Sequence, residues 1–195
     1  MKKICIILMT RNKKETKWYI KRFKKSFNKN VKIYFKKWYD TNLINFIKNN
    51  NIDGIILSGS VDRILDTFKI IATLPKKILN LGIPILGICY GYQWIIKNLY
   101  GRNSINSFKN IKIHRYNKNL KITKPFTIND IKYSFNHHDY IRKIPIKWKK
   151  IIIHKNQIWM SYDKYKKIIG VQFHPEYYNK SGKIFFEKWL KYIEK

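Results

Sequence analysis

Ile4 to Met9 is an unbroken apolar run, and from Lys13 to Phe27 the apolar residues thin out among lysines. The first pattern predicts a buried strand. The second predicts a basic amphipathic helix with Trp18, Phe23 and Phe27 on its inner face. The change of period then repeats along the chain. Val31–Phe35 reads as a second strand, and Thr41 caps a helix reaching about Lys48, with Leu43, Ile44 and Ile47 facing inward. Ile52–Ser58 is a third strand, and a helix is expected from Val61 toward Thr73. Pro75 opens a further turn and Gly82 closes it. Ile83–Ile88 is a fourth strand, and Tyr90–Tyr100 a helix directly behind it. Strands alternating with helices predict a mostly parallel sheet covered by helices on both faces, an α/β fold.

After Gly101 the pattern becomes β-rich. Short runs at Ile111–Tyr116, Leu120–Thr123, Thr127–Phe135, Ile151–His154, Gln157–Tyr162 and Ile168–Phe173 read as strands, with turns at Asn129-Asp130 and Lys155-Asn156. A last helix is expected over Lys180–Ile193, its apolar stripe formed by Ile184, Phe185, Trp189 and Ile193. No repeat or low-complexity linker interrupts the chain. Residues 1–195 therefore read as one domain, an α/β core with a small antiparallel addition in its second half. No apolar stretch reaches the roughly 18 residues that span a bilayer. No small-residue cleavage site follows the N-terminal run, which reads as a core strand and not a leader.

The chemistry gathers at two places. In Pro84-Ile85-Leu86-Gly87-Ile88-Cys89-Tyr90-Gly91-Tyr92-Gln93 an apolar strand ends at a cysteine framed by glycines, and a helix begins at once. That is the shape of a nucleophile elbow: a strand delivers the reactive atom, a tight turn exposes it, and a helix N-terminus favours its anion. In Gly170-Val171-Gln172-Phe173-His174-Pro175-Glu176 a second apolar strand ends in His-Pro-Glu. A cysteine nucleophile needs a base, and the base needs a group that fixes its orientation. His174 and Glu176 supply these roles. The other cysteine, Cys5, lies inside the first strand and reads as a buried structural thiol. Two cysteines are too few for a disulfide framework, and a catalytic thiol fits a reducing, cytoplasmic compartment.

The two motifs, in this order, resemble the signatures G-x-C-x-G-x-Q and H-P-E of the class I, triad-type glutamine amidotransferases. The resemblance covers nearly the whole chain and is nearest to the glutaminase portion of the GMP synthetase group. It implies a flavodoxin-like parallel sheet and a γ-glutamyl thioester on Cys89. Asp53–Ser60 resembles the family's oxyanion loop, which implies backbone N–H donors at Gly59 and Tyr90; the elbow geometry itself also points to Tyr90. Phe135–Tyr140 resembles the loop that clamps glutamine, implying that His138 and Asp139 border the substrate's α-amino and α-carboxylate groups. Gln93 lies one helical turn beyond Cys89 on the same helix face, and the resemblance implies that it contacts the substrate glutamine. Ser58-Gly59-Ser60-Val61 departs from the Ser-Gly-Gly-Pro usual in the GMP synthetase type, and His138 stands where glycine is common. These departures leave the triad intact and the ammonia acceptor open.

The implied activity is hydrolysis of L-glutamine, with ammonia passed to a separate ATP-dependent synthetase, since the chain carries no phosphate-cradling glycine loop. A stand-alone γ-glutamyl hydrolase with the same triad is the alternative. Charge adds a third reading. With 42 Lys+Arg against 11 Asp+Glu the formal net charge is +31. A field of that sign attracts polyanions, so a basic non-enzymatic nucleic-acid-associated protein on this fold stays in view. The five histidines have no metal-ligand spacing, and neither a metal nor a cofactor is expected.

Overall fold

A computed structural model describes residues 1–66, 73–108 and 114–194. Its centre is a seven-stranded sheet. In chain order its strands are β1 (Lys2–Leu8), β2 (Val31–Lys37), β3 (Gly54–Leu57), β4 (Ile85–Ile88), β9 (Lys149–His154), β10 (Gln157–Asp163) and β11 (Ile168–Val171). The spatial order is β2-β1-β3-β4-β11-β10-β9. The pairings from β2 through β11 are parallel, while β10 pairs antiparallel with both β11 and β9. Short strands β5 (Ile105–Ser107) and β8 (Asp139–Ile141) pair with each other, and β6 (His114–Ile122) with β7 (Ile128–His137) forms an antiparallel ribbon. The chain thus has the α/β architecture expected, with its antiparallel additions in the second half.

Side-chain alternation explains why helices cover both faces. Ile4, Ile6 and Leu8 of β1 point into a core shared with α1 (Lys13–Ser26) and α4 (Asn179–Ile193). Cys5, Ile7 and Met9 point into the opposite core, with α2 (Leu43–Asn49) and α3 (Tyr90–Tyr100). Each large apolar side chain so buried stabilises the fold by roughly 1.5–3 kcal/mol relative to exposure. Helix α1 starts because Asn12 Oδ1 accepts the Glu15 N–H at 3.0 Å. Phe23 and Phe27 are buried as expected, Trp18 packs against the same core but is only half-buried, and Tyr19, not expected there, is buried beside it. In α4, Phe186 joins Phe185, Trp189 and Ile193 in the core, and Ile184 is only partly covered.

Several elements differ from expectation. Residues 61–66 form bends and turns instead of the start of a helix, and 67–72 lie outside the described residues. The Leu65 N–H, which a helix would direct to the Val61 carbonyl, is instead taken by Asp139 Oδ2 at 3.2 Å. The helix expected to be capped by Thr41 begins at Leu43, preceded by a turn in which Asp40 Oδ1 accepts the Asn42 N–H at 3.0 Å. The runs at Ile111–Tyr116 and Leu120–Thr123 belong, as far as they are described, to the single strand β6; 109–113 lie outside the described residues. Asn129-Asp130 is not a turn but part of β7, opposite a register shift between Leu120 and Ile122. The turn at Lys155-Asn156 is present, with Lys155 at φ 51°.

Candidate active site

Strand β4 is buried between β3 and β11 and ends at Cys89, which has φ 50° and ψ −105° and caps α3. A non-glycine residue with positive φ is a strained position that its surroundings must hold in place. They do so from both sides. The Cys89 N–H donates to the Val171 carbonyl at 2.7 Å, and the Cys89 carbonyl accepts the Gln93 N–H at 3.0 Å. The glycine frame has a steric cause. A Cβ at Gly87 would lie 2.8 Å from the Tyr92 nitrogen and 2.6 Å from Ile95 Cδ1, and one at Gly91 would strike the Leu57 carbonyl. The elbow closes because neither neighbour of the turn carries a side chain.

The second motif arrives beside the first because β11 is the parallel neighbour of β4, with Val171 in register with Ile88. Beyond β11, the His174 N–H donates to the Ser134 carbonyl of β7 at 2.8 Å, which locks the histidine's backbone to the ribbon. His174 Nδ1 is 2.8 Å from Glu176 Oε1, and both side chains are buried. The other ring nitrogen, Nε2, is buried and among the described residues has no partner within hydrogen-bond geometry. Burial pulls the His174 imidazole down. The charges of Glu176 and Cys89, with the hydrogen bond to Glu176, outweigh it and hold the group well above its ordinary value. Cys5 is the contrasting thiol, fully buried in the core and pushed up by desolvation to about 12.

The remaining expected residues surround this pair. Gly59 sits against the imidazole: a Cβ there would lie 2.8 Å from His174 Cε1 and would collide with the Tyr19 hydroxyl. Its loop is tied to the core by Ser58, whose Oγ accepts the Met9 N–H at 2.9 Å and whose carbonyl accepts the Gly91 N–H at 3.1 Å. Tyr90 is the first residue of α3, directly behind Cys89. A pocket opens over the sulfur, bordered by Ser60–Arg63, Cys89, Tyr90, Gln93, Arg115 and Asn136–Asp139. Gln93 Nε2 donates to the Asp139 carbonyl at 2.6 Å. The Asp139 carboxylate is taken up by the protein itself, accepting from Ser107 Oγ, from Arg63 Nη2 at 3.3 Å and from the Leu65 N–H. His138 lines the same pocket, and its carbonyl accepts the Phe108 N–H at 3.2 Å.

Four contributors to the site were not identified from the sequence. Gln172 is fully buried and donates from Nε2 to Cys89 Sγ at 3.4 Å. Asn136 faces the sulfur with its carbonyl, 3.7 Å away. Arg63 and Arg115 place positive charge on the pocket wall, the first paired with Asp139 and the second donating to Asn136 Oδ1 at 3.2 Å. Only Gln172 carried a usable signal. It stands two residues before His174. Among the described residues no cluster of three potential metal ligands occurs, and no helix is long and apolar enough to cross a membrane.

Comparison with known proteins assigns the chain to a family. The family model described as glutamine amidotransferase class-I matches residues 9–191. A GMP synthase [glutamine-hydrolyzing] of Borreliella burgdorferi (strain N40) is 41% identical over 137 residues, covering 67% of this chain and 25% of that protein. The enzyme of the same name from Wigglesworthia glossinidia brevipalpis is 35% identical over 156 residues, covering 73% and 29%. The aligned segments thus span only a quarter to three tenths of these relatives' length. Among solved structures, a putative GMP synthase subunit from Thermoplasma acidophilum superposes with a TM-score of 0.71 at 20% identity, covering 100% of this chain and 94% of that one. PurLQS from Thermotoga maritima gives a TM-score of 0.68 at 17% identity, covering 98% and 99%. These two likenesses are of fold. The chain belongs to the class-I glutamine amidotransferase family.

Proposed function

We propose that this class-I glutamine amidotransferase chain is the glutaminase part of a GMP-synthase-like system, releasing ammonia from glutamine for a synthetase unit that binds ATP and the acceptor. The observation that carries the reading is Cys89 at its strained elbow on the pocket wall, with the buried His174–Glu176 pair just beyond the neighbouring strand and near enough for His174 to feel the cysteine's charge.

Cys89 Sγ attacks the side-chain carbonyl carbon of glutamine, and the π electrons move onto oxygen. The N–H groups of Gly59 and Tyr90 are the donors for that oxyanion. His174 holds the proton taken from the thiol and delivers it from Nε2 to the departing nitrogen. The C–N bond breaks, ammonia leaves, and a γ-glutamyl thioester remains. Water then attacks the thioester while His174 accepts its proton, and glutamate departs as the sulfur regains its electron pair. Glu176 keeps the imidazole oriented and stabilises its cationic form throughout. Gln93, His138 and Asp139 border the amino-acid end of the substrate, and Asp139 acts chiefly by holding the 60–65 loop in place.

The test is a substrate panel. Ammonia and glutamate formation from glutamine is measured alone and with a GMP synthase stripped of its own glutaminase region, supplied with ATP and xanthosine monophosphate. Glutamine-dependent GMP formation that requires both proteins supports the reading. Hydrolysis of γ-glutamyl peptides in preference to glutamine, without any synthetase, would assign the site to the γ-glutamyl hydrolase class instead. Salt-dependent binding to duplex DNA with no turnover would favour the non-enzymatic one.

A further inference from the structure

Gln172 lies behind the nucleophile, fully shielded from solvent. Its backbone N–H is spent on the Trp159 carbonyl at 2.8 Å, so only its side chain is available to Cys89. The hydrogen-bond order around that side chain is determined. The Gln93 atom 2.6 Å from the Asp139 carbonyl oxygen has to be its nitrogen, because two carbonyl oxygens repel at that distance. The same nitrogen lies 3.3 Å from the Gln172 side chain, so the Gln172 oxygen faces it as acceptor. The Gln172 NH₂ group is therefore turned toward Cys89 Sγ, 3.4 Å away. A buried amide donor needs an acceptor, and a neutral thiol is a weak one, whereas a thiolate accepts strongly.

We propose that Gln172 is a further catalytic residue that donates to the Cys89 sulfur and stabilises its anion, with its orientation set by Gln93. The inference rests on the reading of Cys89 as nucleophile. The donor acts at two points in the cycle. It raises the share of sulfur that is anionic and ready to attack. It also receives the thiolate that leaves when water breaks the thioester. Packing favours this placement. Gly170 has no side chain where the Tyr92 ring of α3 packs, which lets β11 approach the elbow helix and brings Gln172, just past the strand's end, beside Cys89.

The experiment measures the rate of Cys89 carboxamidomethylation by iodoacetamide against pH for wild type, Gln172→Met and Gln172→Glu, together with kcat and KM for glutamine. Iodoacetamide needs no glutamine pocket. In Gln172→Met, which keeps the volume and removes the donor, the alkylation profile moves to higher pH and kcat falls ~10- to 100-fold, as for loss of a charge-assisted hydrogen bond. Gln172→Glu puts an acceptor against the sulfur, so its defect at neutral pH is deeper and is partly relieved in acid, where the carboxyl regains a proton. A purely structural role would give neither the shift nor the acid recovery. Alkylation profiles of both variants that superimpose on wild type would overturn the proposal. Failure of the underlying reading is distinct: wild type would then alkylate with the same donor dependence but show no glutamine turnover, alone or with a synthetase.

Discussion

Gly59 and His174 approach so closely that no side chain fits between them, since a Cβ on Gly59 would lie 2.8 Å from His174 Cε1. The oxyanion-loop candidate and the base candidate are thus one packing unit, braced by the buried Tyr19. Gly59→Ala forces the imidazole or the loop to shift. The expected result is a fall in kcat on the order of 100-fold, the scale set by misplacement of a reacting group by about 1 Å, with a loss of stability of about 1–3 kcal/mol. Steady-state kinetics beside a melting curve checks it.

Glu176 governs the charge on His174. The imidazole is held above its ordinary value in the folded protein, so folding favours its protonated form. That stabilisation is complete below the unfolded-state histidine value of about 6.5 and is lost as pH rises through the higher folded value. Glu176→Gln removes the main charge that raises the group. Urea unfolding across the neutral-to-alkaline range should show a smaller loss of stability with rising pH than in wild type. Turnover should fall ~100-fold or more as the imidazole loses its orienting partner.

Asp139 holds two segments together, since its carboxylate accepts from Ser107 of β5 and from Arg63 and Leu65 of the pocket-rim loop. Asp139→Asn leaves Arg63, whose side chain is 29% exposed, without its charge partner and weakens the buried hydrogen bonds at 139. The expected cost is about 1–2 kcal/mol of stability with a raised KM for glutamine. Chemical denaturation and a KM-against-kcat comparison measure the two effects. A lowered kcat at unchanged KM and stability would show that the carboxylate acts in the chemistry instead.

Gly170 is the packing counterpart of Tyr92. A methyl group there would overlap the buried ring, so Gly170→Ala should destabilise the fold by about 1–3 kcal/mol or more and spread β11 from α3. A lowered urea midpoint at constant m-value is the expected signature.

Much of this was legible in the sequence for identifiable reasons. Gly87, Cys89 and Gly91 announced the elbow because the turn excludes side chains, and Tyr90–Tyr100 is the helix that follows it, as expected. The alternation of apolar runs gave the layer order of the sheet, because each β1 residue serves one of two cores. What was not legible depends on contacts between distant segments. The helix expected from Val61 fails over 61–66 because Asp139, far along the chain, takes the Leu65 N–H. Asn136 contributes a backbone carbonyl, which side-chain chemistry does not advertise. Trp18 packs only partly against the core, and Tyr19, buried against Gly59, is the inner-face residue that the lysine-rich spacing did not single out. Gln172 was within reach, since it stands two residues before His174 at the end of the strand that carries the His-Pro-Glu motif.

The central claim is that Cys89 is a glutamine-directed nucleophile, and intact-mass labelling with 6-diazo-5-oxonorleucine tests it most directly. Wild type should take up a single adduct, glutamine should protect against it, and Cys89→Ala should abolish it. Cys5, fully buried and pushed up to about 12, should stay unmodified throughout. No adduct on folded wild type, or an adduct that survives Cys89→Ala, would contradict the account.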